Sequence, residues 1–308
     1  MPKSLYFPGH YIYNSYRLSK LYYRKLNIKS YDFIYAQGLT SWYFLNENPH
    51  DLNLISNLHG LNAYQAVADK FELLKLFLHR IPCKTIIKNS KYQISLGGFL
   101  KDILIKNGAK KSSILTIPNA IESSWLLNEI SKKDTDVLKF VFIGRYERTK
   151  GLKEILKVAG KLISQYTFEF HFIGEIPENN KVINDNFIYH DIIKNSEKIR
   201  SILIDSDILV CPSYSEGMPT VILEAMASGC AIIATDVGAV GTMVNQENGW
   251  LISNINLESQ IEKAMISSII EKKKLYKKKI YSLEKVKNEF TWDDIIKKKI
   301  KILKKLLK

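Results

Sequence analysis

Two glutamates, Glu216 and Glu224, lie in the second half of the chain with seven residues between them. They follow an apolar run, Ile208–Cys211, that is typical of a buried strand and is followed by a proline. The segment from Thr220 to Ser228 then shows helical spacing of its apolar residues. The sequence therefore predicts a strand, a tight turn and a helix, with one carboxylate in the turn and the other on the helix.

The turn contains Gly217 and Pro219, and it brings the N-terminus of a helix to the end of a strand. Unpaired backbone N–H groups and the positive end of the helix dipole favour phosphate binding at such a place. Carboxylates on both sides of this turn suit a ligand that carries hydroxyl groups on both sides of its phosphates, as a sugar nucleotide does. Each glutamate alone would also fit a capping residue or an exposed helix residue.

A second segment, Phe140–Gly151, contains Arg145 and Lys150 after a predicted strand. Arg145 directly follows Gly144, and the two cations lie on either side of a helix start. A nucleoside diphosphate gains negative charge as its bond to a sugar breaks, and fixed cations stabilise that transition state more than the ground state. An isolated Arg and Lys at a helix start would usually be a solvated surface pair.

Together, the two segments resemble the signature of the retaining glycosyltransferases of family 4 (glycosyl transferases group 1), which have the GT-B fold. The resemblance implies that Arg145 and Lys150 stabilise the leaving diphosphate. It implies that Glu224 accepts hydrogen bonds from the two ribose hydroxyls, and that Glu216 holds hydroxyls of the donor sugar. The residues expected to bind the donor, partly through backbone N–H groups that reach its phosphates, are Gly144, Gly217, Met218, Pro219 and Thr220.

His59 follows a predicted strand and precedes a glycine. It resembles the family's histidine in the first domain that reaches across the cleft to the donor sugar, and it is taken as a fourth catalytic residue with Arg145, Lys150 and Glu216. A lone histidine at a strand end is more often structural, although a doubly wound domain presents its ligands at this edge. The remaining histidines are expected to be structural or exposed.

The resemblance implies an enzyme that moves a hexose-like sugar from a nucleotide diphosphate sugar to a hydroxyl acceptor with retention of configuration. Synthesis of a surface polysaccharide or a glycolipid is the expected setting. The alternative is a non-catalytic sugar-nucleotide-binding protein or an inactive fragment. A GT-B epimerase or phosphorylase is a third interpretation, but no motif for a lysine-bound pyridoxal phosphate is found.

No cofactor or metal is predicted, and the nucleotide sugar is expected as a substrate. A DxD motif, the metal-binding motif of a different glycosyltransferase fold, is present at Asp205, Ser206 and Asp207. They lie immediately before a predicted core strand, and GT-B enzymes do not depend on a metal bound by this motif. The three cysteines show no zinc-site spacing and fit a reducing compartment.

Strands alternate with helices along the chain, which predicts an α/β protein with parallel sheets. Two doubly wound, Rossmann-like domains facing a central cleft are expected, with boundaries at 1–120 and 121–290 and a basic C-terminal helix, 291–308, that crosses back to the first domain. A linker is expected at 118–136. The predicted strands are 32–36, 54–58, 84–88, 114–117, 139–143, 168–173, 187–189, 208–211, 231–234 and 249–252, and the predicted helices include 69–79, 92–106, 152–164, 196–204 and 220–228.

The net charge of +14 calls for a partner or a structural explanation. Residues 295–308 mix basic and apolar residues at helical spacing, which indicates a cationic amphipathic helix. Two explanations of this helix are equally good. It contacts an anionic membrane, or it is docked on the protein and its lysines are solvated. Nucleic acid is not expected, because no recognition motif is present. Without a signal peptide or a transmembrane run, a cytoplasmic protein is predicted, peripheral to the inner membrane face at most.

The sequence departs from the family pattern in three places. Ala120 replaces the glycine of a Pro-Asn-Gly turn, and alanine would be strained there if the turn needs a positive φ. Thr242 stands where the family usually has a glutamate. Residues 1–29 contain neither the strand nor the glycine-rich loop that normally opens the first domain, which predicts a first domain shortened at its N-terminus.

Overall fold

The computed structural model of the protein describes residues 10–25, 31–47, 53–68, 70–130 and 137–307. The chain divides into two units, and each contains one parallel sheet. The first unit holds the residues up to Pro118 together with Lys298–Lys308, and the second holds Asn119–Lys297. Helices connect most consecutive strands within each unit, which confirms the predicted α/β class with two parallel-sheet domains.

The first unit contains a four-stranded sheet with the strand order β1-β2-β3-β4. Every residue of β2 is buried, whereas residues of β1 are partly exposed at the edge. The strands are β1 (Ile34–Gln37), β2 (Leu54–Asn57), β3 (Tyr92–Ser95) and β4 (Ile114–Thr116), and the helices are α1 (His10–Lys25), α2 (Trp42–Glu47), α3 (Lys70–Asn89) and α4 (Phe99–Lys106).

The prediction of a strand at 84–88 is wrong, because these residues lie within α3. Their β-branched side chains favour a strand locally. However, Cys83, Ile86 and Ile87 lie on one side of the helix and are buried there. The burial of this side therefore overrides the local propensity.

The predicted helix at 92–106 is correct only in its second half. Its first four residues form β3, which pairs with β2 and β4. Gly97 and Gly98 then adopt φ values of 110° and 53° and separate β3 from α4. These left-handed values, which glycine adopts without strain, break the helical pattern that the apolar spacing indicated.

The second unit contains a six-stranded parallel sheet with the order β10-β9-β8-β5-β6-β7. The predicted strands at 168–173, 208–211 and 249–252 are confirmed residue for residue. The strands are β5 (Leu138–Ile143), β6 (Phe168–Ile173), β7 (Phe187–His190), β8 (Ile208–Cys211), β9 (Ala231–Thr235) and β10 (Gly249–Ile252). The helices are α5 (Leu152–Leu162), α6 (Ser196–Asp205), α7 (Thr220–Ala227), α8 (Val240–Met243), α9 (Leu257–Ile270) and α10 (Lys272–Glu289). The last helix, α11 (Trp292–Leu306), begins in this unit and belongs to the first unit from Lys298 on.

Phenylalanines of β5 and β6 form the centre of the second unit's core. Phe168, Phe170 and Phe172 alternate along β6, so their side chains lie on one face of the sheet. The ring of Phe140 on β5 lies 5.4 Å from that of Phe168 and 5.7 Å from that of Phe170, measured between centroids. This packing fixes the strand whose carboxyl end leads into Gly144 and Arg145.

The residues that follow the first unit are held by backbone hydrogen bonds. The Ile121 N–H donates to the carbonyl of Phe290, and the Trp292 N–H donates to the carbonyl of Ile121. The predicted strain at Ala120 is not found, because the described non-glycine residues with a positive φ are His59, Leu61 and Asn256.

Parts of four predictions fall outside the described residues. These are 131–136 of the predicted linker, 1–9 and 26–29 of the N-terminal segment, residue 69 of the helix at 69–79 and residue 308 of the C-terminal helix. The part of the N-terminal segment that is described, His10–Lys25, forms α1. Among the described residues, no helix has both the length and the apolar character needed to cross a bilayer.

Candidate functional site

Two loops of the second unit meet at the carboxyl ends of the neighbouring strands β5 and β8. The ammonium group of Lys150 lies 2.6 Å from Oε1 of Glu216. The hydroxyl of Ser213 donates to the same carboxylate oxygen at 2.7 Å, and the backbone N–H of Tyr214 donates to the carbonyl of Thr149 at 2.8 Å. Two predicted site residues that are 66 positions apart in the sequence therefore form one ion pair.

The close approach of these loops requires the glycine at position 151. Gly151 has a φ of 69°, in the left-handed region, and it directly precedes α5. A Cβ atom at this position would lie 2.3 Å from the carbonyl oxygen of Pro212. Any other residue would push the loop after β8 away and separate Lys150 from Glu216.

The environment of Lys150 keeps its side chain protonated. Burial acts to lower the pKa of Lys150, but the charge of Glu216 and the hydrogen bond to it more than offset burial, so the pKa is raised. An ammonium group has three N–H donors, and one of them is directed at Glu216. Lys150 is therefore a fixed cation that can still donate to a phosphate oxygen.

A second ion pair beside this one was not foreseen from the sequence. Arg148 donates to both carboxylate oxygens of the buried Glu154, at 2.6 and 2.9 Å. The hydroxyl of Tyr214 donates to Glu154 at 2.8 Å, and the Arg148 guanidinium lies over the Tyr214 ring, 5.0 Å from its centroid. This network connects the turn that carries Lys150 to the loop that carries Glu216.

Arg145 differs from Lys150 in its exposure. Its side chain is 80% exposed, and its guanidinium pairs with Glu147 at 2.8 Å. The preceding residue, Gly144, lies so close to Gly174 that a Cβ atom on Gly174 would lie 2.1 Å from the carbonyl oxygen of Gly144. Arg145 therefore projects from a fixed backbone, while its side chain can reorient toward a ligand.

A pocket of about 850 Å³ lies at the carboxyl ends of β5 and β6, within the range of small-molecule sites. Gly144, Arg145 and Gly174 contribute to its lining, and isoleucines and a proline provide apolar surface. The apolar lining residues are Ile143, Ile173, Pro177, Ile192, Ile193 and Ile199.

The turn that follows Glu216 presents backbone donors. The carbonyl of Gly217 accepts from the Ala239 N–H at 2.8 Å. Among the described residues, the N–H groups of Gly217 and Met218 find no acceptor. Pro219 precedes α7, whose first residue is Thr220, and the first N–H groups of a helix have no intrahelical partner. The turn therefore has the donors that the predicted phosphate contacts need.

Met218 contributes to this turn as a structural residue. Its side chain is buried. Its sulfur accepts from the Asn119 N–H at 3.1 Å, and its carbonyl accepts from the Asn119 side-chain amide at 2.8 Å. A ligand would therefore contact Met218 through the backbone.

Glu224 lies on α7, about one turn of helix after Thr220. Burial raises the pKa of Glu224, and a hydrogen bond with Thr220 acts in the opposite direction without cancelling the rise. A carboxylate that is partly removed from water gains more from two ribose hydroxyl donors than an exposed one would.

The raised pKa of Glu224 predicts a pH dependence of stability. Above the unfolded-state pKa near 4.5, the folded protein holds the Glu224 proton more tightly than the unfolded chain does. The contribution of this group to stability therefore falls as pH rises through the interval up to the raised pKa. A Glu224→Gln variant should not show this loss of stability with rising pH. Its thermal midpoint should therefore exceed that of the wild type at neutral pH, with a smaller difference at pH 4. Parallel midpoint curves for the two proteins would contradict this expectation.

His59 belongs to the first unit, two residues beyond the end of β2. The residue is exposed, but burial of part of its ring lowers its pKa below the usual histidine value. Its φ is 59°, an uncommon value for a residue with a side chain, and its N–H donates to the side chain of Asn57 at 3.0 Å. Leu61 and Asn256 also have a positive φ, so this geometry does not test the role of His59, which stays a prediction.

The carboxylates of the DxD are paired with lysines. Asp205 lies 2.8 Å from the ammonium of Lys139, and Asp207 lies 2.6 Å from that of Lys279. In the part of the chain that the structure describes, no three metal-binding side chains are grouped as a metal ion would need. The absence of a metal requirement stays a prediction.

Gly174 could have been found from a short repeat in the sequence. The sequence Phe-Ile-Gly occurs at 142–144 and again at 172–174, each time at the end of a strand. The second copy marks the carboxyl edge at which Gly174 lines the pocket. Arg148, Glu154 and Tyr214 gave no comparable signal, because nothing in their spacing shows that they meet.

Comparison with known proteins adds to this geometry. Residues 138–269 match the profile of the family described as glycosyl transferases group 1. This segment is similar to the group 1 glycosyltransferases. The matched group 1 segment comprises β5 to β10 and α9 without its last residue, and it includes every predicted site residue except His59.

The most informative curated relative is a Bacillus subtilis (strain 168) protein named for glycosyl transfer in teichuronic acid biosynthesis. It is 35% identical over 112 residues, which are 36% of this chain and 28% of the relative. The chain spans 28%, 68% and 64% of the length of the first three curated relatives that it matches.

Solved structures show the fold of the whole chain. Sucrose-phosphate synthase (tll1590) from Thermosynechococcus elongatus has a TM-score of 0.79 at 18% identity, and the match covers 97% of this chain and 78% of that one. Anabaena Alr3699/HepE in complex with UDP-glucose has a TM-score of 0.71 at 14% identity, with 94% and 82% covered. The two parallel-sheet units therefore have the GT-B fold of glycosyltransferases.

Proposed function

We propose that this chain is a retaining glycosyltransferase that moves a hexose-like sugar from a nucleotide diphosphate sugar to a hydroxyl acceptor. The observation that carries the proposal is the Lys150–Glu216 pair, 2.6 Å apart. It lies where the β5 and β8 loops of the group 1 segment meet. A cation and a carboxylate held together at this edge suit a ligand in which a phosphate is joined directly to a hydroxylated sugar.

The donor is proposed to lie along the carboxyl edge of the second unit's sheet. The flat base fits the pocket with the isoleucine lining, beside Gly144 and Gly174. The ribose hydroxyls donate to Glu224, and the diphosphate lies against the donors of the 217–220 turn, near Arg145 and Lys150. The structure of HepE with UDP-glucose supports a nucleotide sugar as the donor class.

The reaction breaks the bond between the anomeric carbon and the diphosphate oxygen. The acceptor hydroxyl passes its proton to the departing phosphate oxygen and forms the new bond, and the electron pair of the old bond leaves with the nucleoside diphosphate. Lys150 and Arg145 stabilise the charge that develops on the leaving oxygen. Glu216 accepts hydrogen bonds from the sugar hydroxyls and keeps the sugar oriented. No side chain is assigned as a nucleophile, and attack from the face of the leaving phosphate accounts for retention.

The acceptor is proposed to belong to a surface polysaccharide or glycolipid, in keeping with the relative named for teichuronic acid biosynthesis. The protein would act in the cytoplasm, without a metal or cofactor. The cationic residues 295–308 would allow peripheral contact with the anionic inner membrane face.

Calorimetric titration with UDP and with GDP tests the donor site directly. The wild type is expected to bind one of the two nucleotides, and Glu224→Ala is expected to weaken binding at least tenfold, because two hydrogen bonds to a carboxylate are lost. Glu284→Ala, at an exposed glutamate on α10, is the matched control and should bind as the wild type does.

The outcomes distinguish the two functional classes. Binding that depends on Glu224, followed by release of the nucleotide from the matching sugar nucleotide, supports the transferase. Binding without turnover on any acceptor would favour the non-catalytic sugar-nucleotide-binding protein. If folded protein bound neither nucleotide, both proposals would fail.

A further inference from the structure

The net positive charge of this protein comes from one of its two units. The first unit, residues 1–118 and 298–308, contains 22 Lys and Arg against 6 Asp and Glu, a net charge of +16. The second unit, residues 119–297, contains 23 against 25, a net charge of −2. A general excess of lysine in the chain would have charged both units, so the asymmetry indicates an anionic partner for the first unit.

The helix α3 in this unit is apolar on two sides. One side carries the buried Cys83, Ile86 and Ile87. On the other side, Phe77 and Ile81 have 59% and 58% of their surface exposed. A second apolar side has no function in packing against the sheet.

The exposed residues form a continuous line along α3. Leu73, Phe77 and Ile81 are spaced by four residues, and Lys84 and Lys88 continue the same line. All five are exposed. At 1.5 Å per residue, the apolar part is about 12 Å long and the basic part extends about 10 Å further. We call these five residues the α3 stripe.

The middle of α3 is held against the unit by Arg80, so the stripe lies on an anchored helix. Arg80, on a neighbouring side, donates through Nε to the carbonyl of Ala63 at 2.7 Å. Its guanidinium lies over the ring of Tyr64, 5.7 Å from the centroid, and the Tyr64 hydroxyl donates to the carbonyl of Arg80 at 3.1 Å. The side chains of the stripe are therefore exposed while the unit is folded and α3 is held in place.

We propose that the α3 stripe is a membrane-docking surface that inserts into an anionic lipid bilayer. Phe77 and Ile81 would enter the boundary between headgroups and acyl chains, where apolar side chains leave water. Lys84 and Lys88 would remain at the level of the lipid phosphates. The +16 charge of the first unit attracts it to the bilayer, and the apolar residues hold it there.

The α3 stripe shares no residue with the cationic segment 295–308 or with the proposed donor site. It goes beyond the proposed function, for which it would place the first unit at the membrane where a lipid-borne acceptor resides. Docking needs no donor. Its failure would leave the nucleotide titration unaffected, and failure of nucleotide binding would leave docking unaffected.

Flotation of the full-length protein with vesicles tests the proposal. Vesicles of phosphatidylcholine with phosphatidylglycerol are expected to carry the wild type, and those of pure phosphatidylcholine are not. A Phe77→Ser/Ile81→Ser variant should bind the anionic vesicles at least about tenfold more weakly, because two large apolar side chains no longer leave water. The matched control is Ile183→Ser/Ile255→Ser, which removes two isoleucines of the second unit that are 100% and 71% exposed. The control should bind as the wild type does.

A spectroscopic variant tests insertion without removing the contact. The emission of a Phe77→Trp protein, relative to that of the wild type, should shift to the blue with anionic vesicles and be quenched by brominated acyl chains. Lys84→Gln and Lys88→Gln should each weaken vesicle binding about fivefold, in line with one surface charge.

Three results would overturn the proposal. One is equal vesicle binding by the wild type and the Phe77→Ser/Ile81→Ser variant. Another is an emission spectrum of the Phe77→Trp protein that anionic vesicles leave unchanged. The third is a wild-type dimer that does not bind vesicles and that the double variant dissociates, which would assign the stripe to a second copy of the chain.

Discussion

The Lys150→Ala variant is expected to lose donor turnover by about 100- to 1000-fold, the usual effect of removing one preorganised donor at a developing charge. Lys150 is the cation held beside Glu216, and its raised pKa keeps it charged over the whole working pH range. Its loss removes stabilisation from the transition state, in which the diphosphate gains charge, more than from the bound donor. Release of nucleoside diphosphate from the matching sugar nucleotide is the measurement.

Two further variants separate chemistry from folding. Lys153→Ala removes an exposed lysine one turn further along and should retain wild-type turnover. Lys150→Ala also leaves the carboxylate of Glu216 buried without its cation, which lowers stability. The double variant Lys150→Ala/Glu216→Gln removes that charge and should regain stability without regaining turnover. If Lys150→Ala retained more than about a tenth of wild-type turnover, the assigned role of Lys150 would be wrong.

The second large effect is expected from Gly151→Ala. The added Cβ would lie 2.3 Å from the carbonyl oxygen of Pro212, and the residue would be held at a φ of 69°. Strain at the backbone and the displaced loop together are expected to cost about 2–4 kcal/mol. The thermal midpoint of the second unit should fall by about 5–10 °C, and nucleotide binding should weaken because Lys150 and Glu216 separate.

Gly160→Ala is the matched control for this variant. Gly160 lies on α5, and a Cβ atom there would make ordinary contacts with Val182 at 3.7 Å. Alanine is favoured over glycine in a helix by about 0.5–1 kcal/mol, so the midpoint should rise slightly. A Gly151→Ala protein with wild-type stability and nucleotide binding would show that the two loops do not depend on this contact.

The sequence alone was most informative for the second unit. The strands at 168–173, 208–211 and 249–252 were predicted with correct ends, because buried parallel strands are short apolar runs bounded by turn residues. The order strand, turn and helix around Glu216 and Glu224 was also predicted, since proline and glycine mark the turn locally. Each of these features depends on residues that are near one another in the chain.

The first unit showed the limit of local patterns. Residues 84–88 contain β-branched side chains and are helical, because the buried side of a 20-residue helix outweighs the propensity of five residues. Residues 92–95 follow helical spacing and form a strand, because they pair with β2 and β4. In both cases the deciding free energy comes from partners that are distant in the sequence.

The sequence thus determined which residue types are available for chemistry: two carboxylates, two cations and a turn with free N–H groups. Only the tertiary structure showed that Lys150 and Glu216 form a pair, that Arg148 is held by Glu154, and that Gly174 completes a pocket with Gly144. The net charge and its distribution also differ in whether the sequence alone determines them. The net +14 can be counted from the sequence, but its confinement to one unit and the exposure of the α3 stripe depend on how the chain folds. The physical reason is that pairing, burial and exposure are properties of contacts between distant segments, which local spacing does not specify.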